Sequence, residues 1–374
     1  MKITRIITYN LPPRWLFVKI ETDEGLLGWG ECLGDKAPVV AAAVHSYEHA
    51  LLGQDPLRIQ HHWQSLYRGA FWRGGPILCA AISGIEMALW DILGKSLNTP
   101  VWQLLGGRVR ERIRMYTRPQ GNTDDQLAIG AKEVVARGFT AMKICPFEKM
   151  HPLDHYQLVE EAAGRVQAVR EAVGNGIDIL IDFHGRLSPA MALQMEEAIR
   201  PFHPMFIEEP VLPENVDELA RVSAQFHTPV ATGERLFTRW GFREILEKGA
   251  AKVLQPDPCI CGGIWETRLI GSMAEIYYAA LAPHNPYGPV NLAAALQIDA
   301  STPNFLVQEF VDPAGLGQNC LKEPFQIENG YISVPDKPGL GVEPDEMWLQ
   351  QNAIGALPDP GRWFHTDDGS MADW

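Results

Sequence analysis

The pattern of hydrophobic and polar positions changes character near residue 113. Before that point, residues 2–10 and 15–22 alternate or run apolar, the latter through Trp15-Leu16-Phe17-Val18-Lys19-Ile20. With Asp23-Glu24-Gly25 as a turn, they predict a hairpin. Helical spacing follows at 36–52, 56–67 and 76–96. The last of these opens with Pro76 at a first helical position and stays apolar on almost every side to Trp90. That combination predicts a helix buried between domains.

From residue 113 the chain carries short apolar runs, each closed by a polar residue or a turn and separated by helix-like stretches. They are Ile113–Tyr116, Ala141–Cys145, Ile177–Asp182, Met205–Glu208, Val230–Glu234, Val253–Asp257, Ala279–His284 and Phe305–Glu309. The last six end on Asp182, Glu208, Glu234, Asp257, His284 and Glu309, with separations of 26, 26, 23, 27 and 25 residues. Each interval matches one strand–helix unit, so the region reads as a (β/α)8-type barrel. A doubly wound open sheet also alternates in this way, and the count of eight favours the barrel. The chain thus divides into 1–112, 113–318 and a Gly- and Pro-rich segment, 319–374. In the last, Gln326-Ile327 and Tyr331–Val334 look strand-like and are expected to pack on the amino-terminal hairpin.

Composition narrows the function classes. Hydrophobic residues make up 46% and charged residues 21% of the 374, too apolar for disorder. A net charge of −14 argues against nucleic acid or anionic lipid as a partner. No apolar run approaches the length of a membrane span, and Met1-Lys2-Ile3-Thr4-Arg5 opens no signal core. The six cysteines form no Cys-x-x-Cys pair, which suits reduced thiols and a cytoplasmic location. Cys259-Ile260-Cys261 could be half a zinc site, but no second ligand pair stands nearby, so buried thiols are the simpler account.

The strand-end residues carry the chemistry. Adjacent strands lie about 4.8 Å apart, so Asp182, Glu208 and Glu234 would converge if they close three consecutive strands of a barrel. Three carboxylates together need a cation, and oxygen-only ligands favour Mg2+ over Zn2+. Strand-end acids are also common as solvated groups; the matched spacing is what argues for a site. Glu209, next to Glu208, takes a supporting role because alternation sends the two to opposite faces. His184 lies two residues past Asp182 and on an extended strand would face the same way. Asp257 and His284 end the next two strands, where a carboxylate–imidazole bond would orient a general base. Two histidines flanking a metal-bound carboxylate describe abstraction of the proton alpha to it, with the second histidine acting on a leaving group. Glu309, if protonated, could donate to a carboxylate oxygen.

In their order, Lys143-Ile144-Cys145, Asp182-Phe183-His184-Gly185-Arg186, Phe206-Ile207-Glu208-Glu209-Pro210, Thr232-Gly233-Glu234-Arg235, Gln255-Pro256-Asp257 and Ala282-Pro283-His284 resemble the enolase superfamily. Trp29-Gly30-Glu31, Gly53-Gln54-Asp55-Pro56, Arg73-Gly74-Gly75-Pro76 and Trp363-Phe364-His365-Thr366-Asp367-Asp368 extend the likeness over nearly the whole chain. It is similar to the mandelate racemase subgroup, and within that to the galactonate dehydratase family. The resemblance implies an α/β architecture: a modified (β/α)7β TIM-type barrel with an α+β capping domain built from the amino-terminal region and the carboxyl-terminal tail. It implies Mg2+ on Asp182, Glu208 and Glu234, His284 oriented by Asp257 as the base at C2, His184 as the acid at the 3-hydroxyl, and Glu309 on the substrate carboxylate. The implied partner is a small sugar acid, the product a 2-keto-3-deoxy acid, and the protein a homo-oligomer, in this family often an octamer.

Departures from the family pattern fall on the expected substrate-binding positions. Where relatives carry Lys-x-Lys or an asparagine after the second strand, this chain has Lys143-Ile144-Cys145, and Arg118-Pro119 stands where they carry an aromatic. The loop at Leu33-Gly34-Asp35-Lys36 is shorter, and Phe310–Ala314 is unlike theirs. The walls that read distal hydroxyls are therefore altered, and fold alone does not fix the substrate. Epimerisation or cycloisomerisation through the same enediolate stays open, as do a catalytically silent binding barrel and an aldose isomerase on an unrelated barrel.

Overall fold

The computed structural model describes residues 1–355 and 361–373. The expected amino-terminal hairpin forms from β1 (Ile3–Leu11) and β2 (Trp15–Thr22), and a third strand, β3 (Leu27–Leu33), extends it to an antiparallel sheet in the order β1-β2-β3. The third strand escapes the sequence pattern because Gly28 and Gly30 interrupt its alternation. Those glycines admit a helix at backbone contact: a Cβ on Gly30 would lie 1.9 Å from the Gly84 carbonyl oxygen, and one on Gly28 2.0 Å from that of Ala88.

Helices α1 (Ala37–Ser46), α2 (Glu48–Leu51), α3 (Ile59–Arg68) and α4 (Gly75–Ser96) follow, then the short α5 (Val101–Leu104). Contrary to the sequence expectation, α4 is long and apolar enough to cross a bilayer, with a mean hydropathy of 1.6. It is a core helix here: 83% of its most apolar stretch is buried, and it packs closely on β3.

The next elements alternate strictly: β4 (Arg112–Tyr116), α6 (Asp124–Ala136), β5 (Ala141–Ile144), α7 (Tyr156–Val173), β6 (Asp178–Asp182), α8 (Pro189–Ile199), β7 (Phe206–Glu208), α9 (Val216–Ser223), β8 (Val230–Thr232), α10 (Thr238–Glu247), β9 (Val253–Leu254), α11 (Ile264–Ile276), β10 (Ala280–Leu281), α12 (Pro289–Ser301) and β11 (Gln308–Glu309). Strands β5 to β10 form one parallel sheet in chain order, and β11 pairs parallel with β4. Two parallel bridges, Thr117 to Met142 and Leu281 to Phe305, close the ring. This is the (β/α)7β barrel, not an open sheet. Its interior is filled by Tyr116, Ala141, Leu180, Phe206, Ala231, Val253, Ala282 and Val307, small residues among large ones, as a narrow barrel requires.

The tail departs from expectation. Strand β12 (Tyr331–Ser333) pairs antiparallel with the barrel strand β4, Ile332 opposite Ile113, and not with the amino-terminal sheet. Helix α13 (Glu346–Asn352) does return to that sheet: Tyr9 Oη donates to Glu346 at 2.7 Å, and the Lys19 ammonium lies 2.8 Å from the same carboxylate. Gln326-Ile327 lies outside any strand.

Two buried carboxylates dock the amino-terminal region on the barrel. Glu31, on β3, accepts from the backbone N–H groups of Gly288 (2.7 Å) and Asn291 (2.8 Å) at the start of α12. Glu86, on α4, accepts from those of Ile264 (2.7 Å) and Trp265 (3.0 Å) at the start of α11. Both satisfy free donors of a helix N-terminus.

Candidate active site

Barrel geometry places the polar residues at the carboxyl ends of the strands. Asp182 and Glu208 end β6 and β7 directly opposite each other in register. The later strands are shorter than the apolar runs predict, so Glu234, Asp257 and His284 sit just past β8, β9 and β10, on loops. His184 also lies past its strand, with φ of 51°, so no alternation along an extended strand orients it. A left-handed turn does so instead. The His184 N–H donates to Asp182 Oδ1 at 3.0 Å, and its Nε2 comes 3.2 Å from Asp182 Oδ2. Glu209 is likewise left-handed, at 39°, and its carboxylate meets Arg235 at 2.8 Å.

Lys143, fully buried on β5, is the centre of the carboxylate cluster. Its Nζ lies 2.9 Å from Glu208, 2.9 Å from Glu309 and 3.2 Å from Asp182. Arg118 approaches Glu309 at 3.3 Å and Asp182 at 3.8 Å while remaining half exposed to the cavity. Cys145 Sγ lies 3.2 Å from Arg186 and 3.7 Å from His184 Nδ1. Burial raises the Cys145 thiol, with the Asp182 charge adding to it, so the sulfur is a neutral wall of the site.

On the far side, His284 Nδ1 meets Asp257 Oδ2 at 2.8 Å and its Nε2 meets Glu234 at 2.9 Å. Asp257 is itself fixed by the Cys259 N–H and the Asn291 side-chain amide, both at 2.9 Å. Burial opposes charge on His284, but Glu234 and Asp257 outweigh it and hold the imidazole well above its ordinary range. His184 goes the other way: burial brings it down to about 4, against the pull of Asp182 and Glu234. The surroundings of the two histidines in this cavity thus push them in opposite directions. Burial would raise Glu309, yet Lys143, His284 and Arg118 together hold it well below the usual carboxylate range. In this arrangement Glu309 is an acceptor, not the protonated donor considered from sequence.

The donor set suits a hard divalent cation. Carboxylates outnumber the fixed cations, and Glu208 Oε1 is buried without a hydrogen-bond partner. Burial, reinforced by the Asp182 charge, pushes Glu208 up to about 8. Such a cluster is short of positive charge, and its donors are oxygens, which fits Mg2+.

These groups open onto a cavity of about 530 Å³ lined by His184, Glu234, His284 and Arg118. Its outer wall holds Asp35, from the loop flagged at Leu33–Lys36, and two residues the sequence did not single out: Arg14 from the β1–β2 turn and Tyr287, whose hydroxyl donates to Asp35 at 3.0 Å. Arg235 and Arg186, each within two residues of a predicted site residue, were also passed over; charge next to a strand-end acid was the signal available.

Comparison with known proteins accords with this geometry. Residues 10–106 match the mandelate racemase/muconate lactonizing enzyme N-terminal domain, and residues 126–348 the enolase C-terminal domain-like family. The chain belongs to the enolase superfamily. This superfamily member is 47% identical to a D-galactonate dehydratase from Ralstonia nicotianae and 44% identical to one from Cronobacter sakazakii, over all of each chain. Among solved structures it is similar to a mandelate racemase/muconate lactonizing enzyme from Jannaschia sp. CCS1, with a TM-score of 0.90 and 32% identity over 96% of this chain and 99% of that one. A member of the enolase superfamily from Salmonella Typhimurium gives 0.89 and 32% over 94% and 98%.

Proposed function

We propose that this enolase-superfamily chain is an acid-sugar dehydratase, most like a galactonate dehydratase. It removes the C2 proton and the 3-hydroxyl of an aldonate to leave a 2-keto-3-deoxy acid. The observation that carries the reading is the placing of two histidines, His184 on Asp182 and His284 on Asp257 and Glu234, about a carboxylate cluster in one cavity. The full-length likeness to two galactonate dehydratases supports the same substrate class.

Asp182, Glu208 and Glu234 would hold Mg2+, which when bound supplies positive charge for the carboxylate of the substrate as its alpha proton leaves. Arg118 offers donors to that carboxylate at the cavity wall, with Glu309 holding it in place, and Lys143 would free a donor only as Asp182 and Glu208 turn to Mg2+. His284 takes the C2 proton on Nε2, its Nδ1–H fixed on Asp257. To act as a base it must first be neutral, and engaging Glu234 elsewhere removes the strongest charge that keeps it protonated. His184 delivers a proton to the departing hydroxyl. It is neutral at rest, so it must gain that proton as the anionic substrate adds negative charge beside it.

The test is a screen with Mg2+ against mono- and diacid sugars, with semicarbazide trapping of 2-keto-3-deoxy products. His284→Asn should lose both water elimination and exchange of the C2 proton with deuterium, each by about a hundredfold or more. His184→Asn should retain C2 exchange while failing to eliminate. Exchange without water loss in the unaltered protein would move the assignment to epimerisation.

A further inference from the structure

The tail holds a second group of metal-ligating side chains, outside the carboxylate cluster. Residues 363–372 form a small hairpin, with Phe364 bridged to Met371 and the Ala372 N–H donating to the Trp363 carbonyl at 3.0 Å. It sits on the loop that follows β5. Lys149 Nζ donates to the Phe364 carbonyl at 3.0 Å, and the Arg186 guanidinium lies 4.6 Å from the centre of the Trp363 ring. At the junction His151 stacks on His365 with ring centres 3.7 Å apart, and its Nε2 lies 3.2 and 3.3 Å from the two oxygens of Asp367. A nitrogen of each imidazole and an oxygen of Asp367 fall within 4.8 Å of one another.

We propose that His151, His365 and Asp367 bind a borderline divalent ion of the Zn2+ class, which staples the carboxyl-terminal hairpin to the loop after β5. Two imidazoles and one carboxylate are the donor set that Zn2+, Co2+ or Ni2+ takes, whereas Mg2+ prefers oxygen alone. The backbone around the ligands is already set. Asp154 accepts from the His151 N–H at 3.0 Å, and the His365 N–H donates to the Ser370 carbonyl at 2.8 Å. Tetrahedral ligands at bond lengths near 2.1 Å stand about 3.4 Å apart, so metal entry unstacks the rings and draws the hairpin down on the loop.

The staple reaches the cavity through Arg186. That side chain touches Trp363 of the hairpin and donates to Phe147 O at 3.3 Å, and it also holds Cys145 beside His184. The tail hairpin and the wall of the cavity therefore share one arginine. Clamping the first limits the movement of the second.

The experiment uses the full chain, freed of metal with EDTA and returned to Mg2+, and titrated with Zn2+ by calorimetry. The unaltered protein should bind one more equivalent than His151→Ala or His365→Ala, and Asp367→Asn should bind it about tenfold or more weakly. Hydrogen exchange of the amides of 363–372 should slow with Zn2+ in the unaltered protein and stay unchanged in His365→Ala. Equal Zn2+ stoichiometry in all four proteins would overturn the site. Exchange in the hairpin that does not respond to Zn2+ in the unaltered protein would overturn the staple.

Discussion

Lys143 is the residue on which the carboxylate cluster most depends. It lies within 3.2 Å of Asp182, Glu208 and Glu309 and is buried with them. Truncating one partner of a buried ion pair leaves the others uncompensated, at a cost of about 3–5 kcal/mol. Lys143→Ala should therefore melt well below the unaltered protein in EDTA, and Mg2+ should restore a larger part of the difference than it adds to the unaltered protein. Paired calorimetric scans with and without Mg2+ measure this. Arg118 makes a different demand because it is half exposed at the cavity wall. Arg118→Ala should raise KM about tenfold with a smaller fall in kcat, the signature of lost substrate binding. At this scale spacing along the sequence picked out acids and histidines that the fold gathers at one cavity. It did not reveal how they meet: His184 reaches Asp182 by a left-handed turn, and periodicity carries no trace of that.

At the scale of elements, close packing and helix capping decide the outcome. Gly30 lets β3 lie against α4 where a methyl group would overlap the Gly84 carbonyl. Since that obstacle is backbone, Gly30→Ala should cost about 3 kcal/mol or more, read as a lowered denaturation midpoint at unchanged slope. Glu31 and Glu86 bear on pH. Burial carries each carboxyl from 4.5 up to about 8. Between those values the folded protein keeps protons that the unfolded chain has released. Their contribution to stability is complete below 4.5 and is lost as the pH rises to about 8. In Glu31→Gln/Glu86→Gln the fall in Tm between about pH 6 and pH 9 should be shallower than in the unaltered protein. Strand existence was legible from apolar runs closed by polar residues, and strand length was not. Runs such as Val253–Asp257 and Ala279–His284 continue as buried loop, and burial keeps a loop as apolar as a strand.

The whole molecule is held by segments far apart in the chain. The amino-terminal sheet grips α11 and α12 through Glu86 and Glu31, α13 returns to that sheet at Glu346, and β12 joins the barrel at β4. The barrel was readable from its regular interval, because each strand–helix unit repeats the same hydrophobic problem. The route of the tail was not, since Tyr331–Val334 offers an apolar face that either sheet could have accepted. Its actual partner has a temporal consequence. On one side the lower half of β4 is paired by Tyr331–Ser333, while its link to β5 is the bridge at Thr117. A chain emerging from the ribosome makes those residues after every barrel strand. The first barrel strand synthesised is thus among the last to be completed, and until then its edge is the place where a nascent neighbour could pair by mistake.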